Sequence, residues 1–234
     1  MAEGIVERVT KKAEGKEFYL PHKPVIKESA ESTKLRIVYD ASARANERSP
    51  SLNECLETGP PLQNLLWNVL VRNRFHPVAI LGDIKQAFLQ VRIEESDRDA
   101  MRFHWYKDLH TKEVETLRFT RALFGLSPSP FLLGGVINQH LGNCRARFPA
   151  EVDEIERSLY VDDLIGGEKT TTEARHFKES ATVIFGEAQL QLHKWHSNEP
   201  SLEAADTPIE EGEQSFAKAQ LGVKEGETKL LSSL

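Results

Sequence analysis

Cysteine is scarce in this chain of 234 residues, which holds only Cys55 and Cys144. So few thiols exclude a disulfide-built scaffold, and both read as ordinary free thiols. Long apolar runs are missing too, since none approaches the roughly 18 to 20 residues of a membrane span. The stretch Met1-Ala2-Glu3-Gly4-Ile5-Val6-Glu7-Arg8 has no signal-peptide character, so a reducing, cytoplasmic location is the expectation. No Gly-x-x-x-x-Gly-Lys-[Ser/Thr] occurs; Gly167-Glu168-Lys169-Thr170 lacks the Gly-Lys adjacency, which sets aside a P-loop ATPase. A zinc site at His193 and His196 is weak, because further ligands at suitable separation are absent, and both read as exposed histidines near a strand end.

Positive charge is also in deficit, with 30 Lys and Arg against 36 Asp and Glu and a net charge of -6. Residues 201 to 234 carry seven acidic and three basic residues, so -4 of that charge is a property of the tail. The first 200 residues are left with -2, and the global charge excludes little about nucleic-acid partners. An apolar content of 39% suits a globular chain of one sizeable domain or two small ones.

Residues 1 to 17 are charged and helix-compatible. Phe18-Tyr19-Leu20-Pro21-His22-Lys23-Pro24-Val25-Ile26-Lys27 is extended, because its two prolines forbid helix. Lys34-Leu35-Arg36-Ile37-Val38-Tyr39-Asp40 alternates basic and apolar residues, as in a β-ribbon with one cationic face or an ordinary solvated strand. After Gly59-Pro60-Pro61, residues 62 to 72 have helical apolar spacing. Val78-Ala79-Ile80-Leu81-Gly82-Asp83 is an apolar strand ending in a carboxylate, and an Asp so placed, taken alone, is more often a helix N-cap. Ser96 to Ala100 forms a polar turn, and Met101–Tyr106 and Thr116–Phe119 read as paired strands around a loop from Lys107 to Glu115. Gly125-Leu126-Ser127-Pro128-Ser129-Pro130 is a loop of small residues leading into a helix over Phe131–Leu141. A helix capped by Thr172 runs to about Ala188, Leu190–Trp195 returns as a strand, and the tail is irregular until a last strand near Thr228 to Leu231.

Tyr160-Val161-Asp162-Asp163 is the most unusual stretch. Its two adjacent carboxylates stand between apolar β-formers and are followed by Gly166-Gly167, so it reads as a short buried hairpin with acids at its tip. Neighbouring carboxylates repel when both are ionised, a cost that a bound cation removes. A solvated turn accounts for the same residues, since Asp is a common turn former.

Taken in order, the Asp83 strand, the Gly-Ser-Pro loop with its helix, the Asp162-Asp163 hairpin, a helix and a strand resemble the palm of a reverse transcriptase. With Tyr19-Leu20-Pro21-His22-Lys23-Pro24-Val25-Ile26-Lys27 ahead of Leu35-Arg36-Ile37-Val38-Tyr39-Asp40-Ala41-Ser42, the chain is similar to the polymerase domain of Bel/Pao-type LTR retrotransposons over residues 4 to 198. The resemblance implies an α+β right-hand polymerase of fingers and palm, with an antiparallel palm sheet, helices packed on one face and no thumb. It divides the chain into a helical lead-in over 1–17, fingers over 18–76, palm with an inserted fingers portion over 77–198, and an acidic tail over 199–234.

The same resemblance implies the site. Asp83, Asp162 and Asp163 would be the catalytic, metal-holding acids, with the backbone carbonyl of Ile84 assisting and two Mg²⁺, replaceable by Mn²⁺, as cofactors. Lys34 and Arg36 would contact the triphosphate, Phe88 would gate against a ribose 2′-hydroxyl, and Gly125, Ser129 and Pro130 would lie under the incoming nucleotide. Lys194 would help pyrophosphate leave, and Tyr160 and Val161 would lie near the primer end. Phe124 departs from the retroviral pattern, which has Gln there. The implied activity is RNA-directed DNA synthesis on a template-primer with deoxynucleoside triphosphates, off the membrane, in the cytoplasm or in a virus-like particle. The alternative is an inactive or domesticated remnant that at most binds nucleic acid. Protease, ribonuclease H and integrase segments are expected elsewhere in a longer polyprotein.

Overall fold

The computed structural model describes residues 4–13, 15–26 and 35–203. In chain order its elements are β1 (Val6–Arg8), β2 (His22–Ile26), β3 (Leu35–Tyr39), α1 (Leu52–Cys55), α2 (Leu66–Asn73), β4 (Val78–Ile84) and α3 (Ala87–Gln90). There follow β5 (Arg102–Asp108), β6 (Glu113–Phe119), α4 (Ser129–Cys144), α5 (Pro149–Ser158), β7 (Leu159–Tyr160), β8 (Asp163–Glu168), α6 (Thr171–Glu187) and β9 (Leu192–Ser197). The strands form three antiparallel sheets, ordered β1-β6-β5, β2-β3 and β7-β8-β4-β9, so the chain is α+β. It divides into two compact units, Met1–Pro61 with Phe88–Leu133, and Leu62–Ala87 with Gly134–Leu234.

The first unit opens on a strand where a helical lead-in is expected. Ile5, Val6 and Val9 are β-branched, and β1 pairs with β6 from Val6↔Phe119 to Arg8↔Leu117, so ladder pairing overrides the weak helical compatibility of the charged residues. Phe103, Leu117, Phe119, Met101, Leu20, Leu52, Leu123 and Leu126 form its core. Charge is organised around Arg102 and Arg118. Arg102 donates from Nε to Asp99 at 3.0 Å and from Nη1 to Glu17 at 2.6 Å, and Arg118 donates to Glu7 at 2.7 Å and to Asp99 at 2.9 Å. β5 and β6 extend further into the expected loop than the apolar pattern indicates, and the expected polar turn at Ser96–Ala100 is a 3₁₀ helix over Glu95–Met101. The β2–β3 ribbon pairs Val25 with Arg36 and Pro24 with Ile37; it exposes Val25, Ile37 and Val38 alongside Lys23, while Arg36 is half-buried.

The second unit is built on β4, which is buried along its length except at Asp83 and pairs antiparallel with β8 on one side and β9 on the other. α2, expected within the fingers segment, belongs to this unit because Val69 packs against Leu81 and Ile165. Successive strand residues face opposite sides of a sheet. A Cβ on Gly167 would meet His76 and Asn73 beside α2, whereas one on Gly166 would strike the Phe177 ring of α6 at 2.7 Å. Helices therefore cover both faces of this sheet, not one: its central strand is apolar on both sides, and each side needs a cover. Thr170, not Thr172, caps α6, in a reciprocal box with Glu173 that satisfies two of the orphan backbone donors. Leu202 is buried in a short 3₁₀ turn over Pro200–Leu202, and Lys178 donates to its carbonyl at 2.7 Å. The last strand expected near Thr228 to Leu231 lies outside the described residues.

Candidate active site

The expected acids meet at one end of the second unit's sheet. Asp83 lies inside the strand ladder of β4 and is not a helix cap: it is the Cα partner of Asp163 on β8 and of His193 on β9, and Asp163 in turn pairs with Tyr160 on β7. Directly opposed residues share a face with Cβ atoms about 4.5 to 5.5 Å apart. Tyr160, Asp163, Asp83 and His193 thus form a row across all four strands, on the face that α2 covers further along. Asp163 is buried and Asp83 is half-buried.

Because Tyr160 pairs with Asp163, Val161 and Asp162 form a two-residue hairpin loop. Val161 has φ of 56°, at the first loop position, as a type II′ turn requires. That region suits glycine, and a β-branched residue held there is strained, a condition that persists only where the surroundings enforce it. One enforcing contact is visible: the Ile84 N–H donates to the Asp162 carbonyl at 2.9 Å, tying the hairpin tip to the residue after Asp83. Asp83, Asp162 and Asp163 are thereby gathered from two separated stretches around the end of β4.

β9 completes the row through an irregularity. Leu81 pairs with His196 and Asp83 with His193, so β9 advances three residues while β4 advances two. Lys194 sits in this bulge with φ of 51°, and a bulge beside a site re-aims the side chains around it. A Cβ on Gly82 would lie 2.9 Å from the Trp195 ring, so the glycine before Asp83 lets the tryptophan lie against the strand. His193 Nε2 lies 2.7 Å from Asp83 Oδ2, with only 13% and 17% of the two side chains exposed. His193 is therefore not the exposed strand-end histidine expected from sequence. Nothing in the local pattern Leu192-His193-Lys194 reveals this contact, because it depends on a register set by residues 110 positions away.

The remaining expected residues fall in the first unit, apart from Lys34, which lies outside the described residues. Arg36 is on β3 opposite Val25. Phe88 is 6% exposed, with its ring edge-on to Phe124 at 4.6 Å, while Phe124 itself is exposed. Gly125 has φ of +86°, a backbone state that explains the glycine. Ser129 is buried and its hydroxyl donates to the Leu123 carbonyl at 2.6 Å, and Pro130 occupies the first turn of α4. The Gly125–Ser127 loop is held by a residue that sequence reasoning missed. Asn53 Nδ2 donates to the Gly125 carbonyl at 2.8 Å, and its Oδ1 accepts the Ser127 N–H at 2.9 Å. α1, which carries Asn53, is fixed by the Ser51–Glu54 capping box, a Ser-x-x-Glu signal present in the sequence.

Chemically, Asp83, Asp162 and Asp163 offer hard carboxylate oxygens, the donor type that Mg²⁺ takes, and usually only one or two such carboxylates are needed. The residues present therefore fit that ion. No protein-family model and no curated protein matches the chain.

Proposed function

We propose that the chain is the polymerase portion of a reverse transcriptase, adding deoxynucleotides to a primer on an RNA or DNA template. The observation that carries this reading is the cross-strand pairing of Asp83 with Asp163, with Asp162 at a strained tip tied to Ile84. Asp83 and Asp162 would hold two Mg²⁺ as principal ligands, Asp163 and the Ile84 carbonyl supporting them. When bound, such ions stabilise both the attacking and the leaving oxygens of an in-line displacement at phosphorus.

The protein's own residues supply the rest. His193 Nε2–H donates to Asp83 Oδ2 and fixes how that carboxylate presents its other oxygen. Lys194, a compact ammonium on the β9 bulge, is positioned by the fold near the end of β4 and would give charge to departing pyrophosphate. Tyr160 continues the acid row onto β7, where the primer end would lie. Lys34, Arg36, Phe88, Gly125, Ser129 and Pro130 enter this proposal through the resemblance alone, as contacts to the triphosphate, sugar and base of the incoming nucleotide.

The test is primer extension on an RNA template with Mg²⁺, by the chain alone and within its full reading frame. Extension that Asp162→Asn abolishes is the expected result. A folded protein that binds primer-template yet adds no nucleotide would overturn the proposal in favour of a nucleic-acid-binding remnant. Phe88→Leu should relax discrimination against ribonucleotides, and unchanged sugar selectivity in a competent enzyme removes the gate from Phe88.

A further inference from the structure

A second cluster of ligating side chains lies in the same unit, unrelated to the acid row. His140 and Cys144 are four residues apart on α4 and so share one face of the helix. Glu187 closes α6 beside them, and one ligand atom from each of the three falls within 4.8 Å of the others. Cys144 Sγ is 3.5 Å from His140 Nε2 and 3.8 Å from Glu187 Oε2. In a tetrahedral zinc site, bonds of about 2.3 Å to sulfur and about 2.1 Å to nitrogen or oxygen put the sulfur about 3.6 Å from each neighbouring ligand atom. The two measured separations are close to the edges of that tetrahedron.

The cluster already faces a cation. Arg147 donates from Nη1 to Glu187 Oε1 at 2.9 Å and from Nη2 to Glu187 Oε2, and Nη2 also lies 3.7 Å from Cys144 Sγ. The hydrogen bond from Arg147 holds the Glu187 carboxyl below the usual carboxylate range. Cys144 is 1% exposed, whereas Glu187 and Arg147 reach solvent, which defines the side from which an ion enters.

We propose that His140, Cys144 and Glu187 form a Zn²⁺-class site whose resting cation is the Arg147 guanidinium. Binding exchanges one cation for another. Arg147 swings away from Glu187 and the Cys144 thiol releases its proton to solvent; His140 gives up the hydrogen bond that its Nε2–H donates to the Ile184 carbonyl at 2.7 Å, loses that proton to solvent while Nδ1 takes one up, and binds the ion through the freed Nε2 lone pair. Three protein ligands of mixed sulfur, nitrogen and oxygen type select Zn²⁺ or Co²⁺ over Mg²⁺, and a fourth position is left for water. The proposal is independent of the polymerase reading, and either can fail without the other.

The experiment titrates the full chain with Co²⁺, whose bound thiolate gives a sulfur-to-metal charge-transfer band that an all-oxygen site cannot give. The expected result is one equivalent of Co²⁺ with that band, displaced by Zn²⁺ and absent in Cys144→Ser. Arg147→Ala removes the competing cation, and should bind Co²⁺ about tenfold more tightly without any new ligand. Absence of the band in both the folded wild-type chain and folded Arg147→Ala overturns the proposal, as does a band that persists in Cys144→Ser. Equal affinity in the wild-type chain and Arg147→Ala overturns the exchange.

Discussion

Asp99 in the first unit and Asp83 in the second have nearly the same side-chain exposure, 16% and 17%, yet they are held in different ways. Asp99 receives the forks of Arg102 and Arg118. Asp83 stands opposite another acid, Asp163, across the ladder, and meets the imidazole of His193. A carboxylate joined to two permanently charged guanidiniums is a finished structural element. One set in register beside a second carboxylate is at its best with an exchangeable cation. Equal burial thus separates into an anchor and a candidate centre by the identity of the partners.

The sharpest way to break this contrast is to neutralise each acid in turn. Asp83→Asn should lower Mg²⁺-dependent primer extension by about a thousandfold with little change in melting temperature, as loss of one electrostatic group from a reaction centre does. Asp99→Asn should leave extension near wild type. If Asp99→Asn costs as much extension as Asp83→Asn, the contrast fails. Removing an arginine instead tests the anchor. Arg118→Ala leaves Glu7 and Asp99 short of their shared partner in a half-buried network and should cost about 2 to 3 kcal/mol in denaturant unfolding. A loss within a few tenths of a kcal/mol would make the lattice decorative.

A smaller effect is expected at His193, which supports Asp83 without replacing any carboxylate. His193→Ala should lower extension about tenfold, and His193→Gln should restore part of it by keeping a hydrogen-bonding group at that position. The readout is the Mg²⁺ concentration giving half-maximal extension, which a merely structural loss would leave unmoved.

The difference between the two acids was only partly legible in the sequence. Tyr160-Val161-Asp162-Asp163 announced a hairpin with two acids at its tip, of which Asp162 is in the loop and Asp163 in the strand that follows, and Val78 to Asp83 announced a buried strand ending in an acid, because both signals are local: apolar β-formers in a run that meets an acid. The pairing of Asp83 with Asp163 needed the register between strands far apart in sequence, and the His193 contact needed a bulge at Lys194 that no propensity marks. The N-terminal strand was hidden for a related reason. Three β-branched residues among charges read as ambiguous until β6 is present to pair with them. Helix caps were local, yet Thr170 and Thr172 both fit the pattern, and only the Glu173 contact back to residue 170 decides between them.

The smallest effect is a slope with pH, and its sign differs between the units. Burial would raise the Asp99 carboxyl, but hydrogen bonds from Arg118 and then Arg102 outweigh it and hold the group below its ordinary 3.8. A carboxyl lowered by folding stabilises the folded state above its unfolded value and loses that contribution as pH falls through the folded value. In the second unit, burial first, and then the neighbouring carboxylates Glu154 and Glu173, push Glu168 above its ordinary 4.5. Such a group takes up a proton more readily when folded, so its unfavourable contribution at neutral pH fades as pH falls toward the unfolded value. Denaturant unfolding followed from about pH 6 to about pH 3 should therefore show Asp99→Asn reducing the acid loss below about pH 4. Glu168→Gln should stabilise near pH 6 more than near pH 4. Tryptophan fluorescence separates the two, because Trp105 lies in the first unit and Trp67 and Trp195 in the second. If Asp99→Asn leaves the Trp105 transition as acid-sensitive as before, Asp99 is not the anchor that the arginine forks make it.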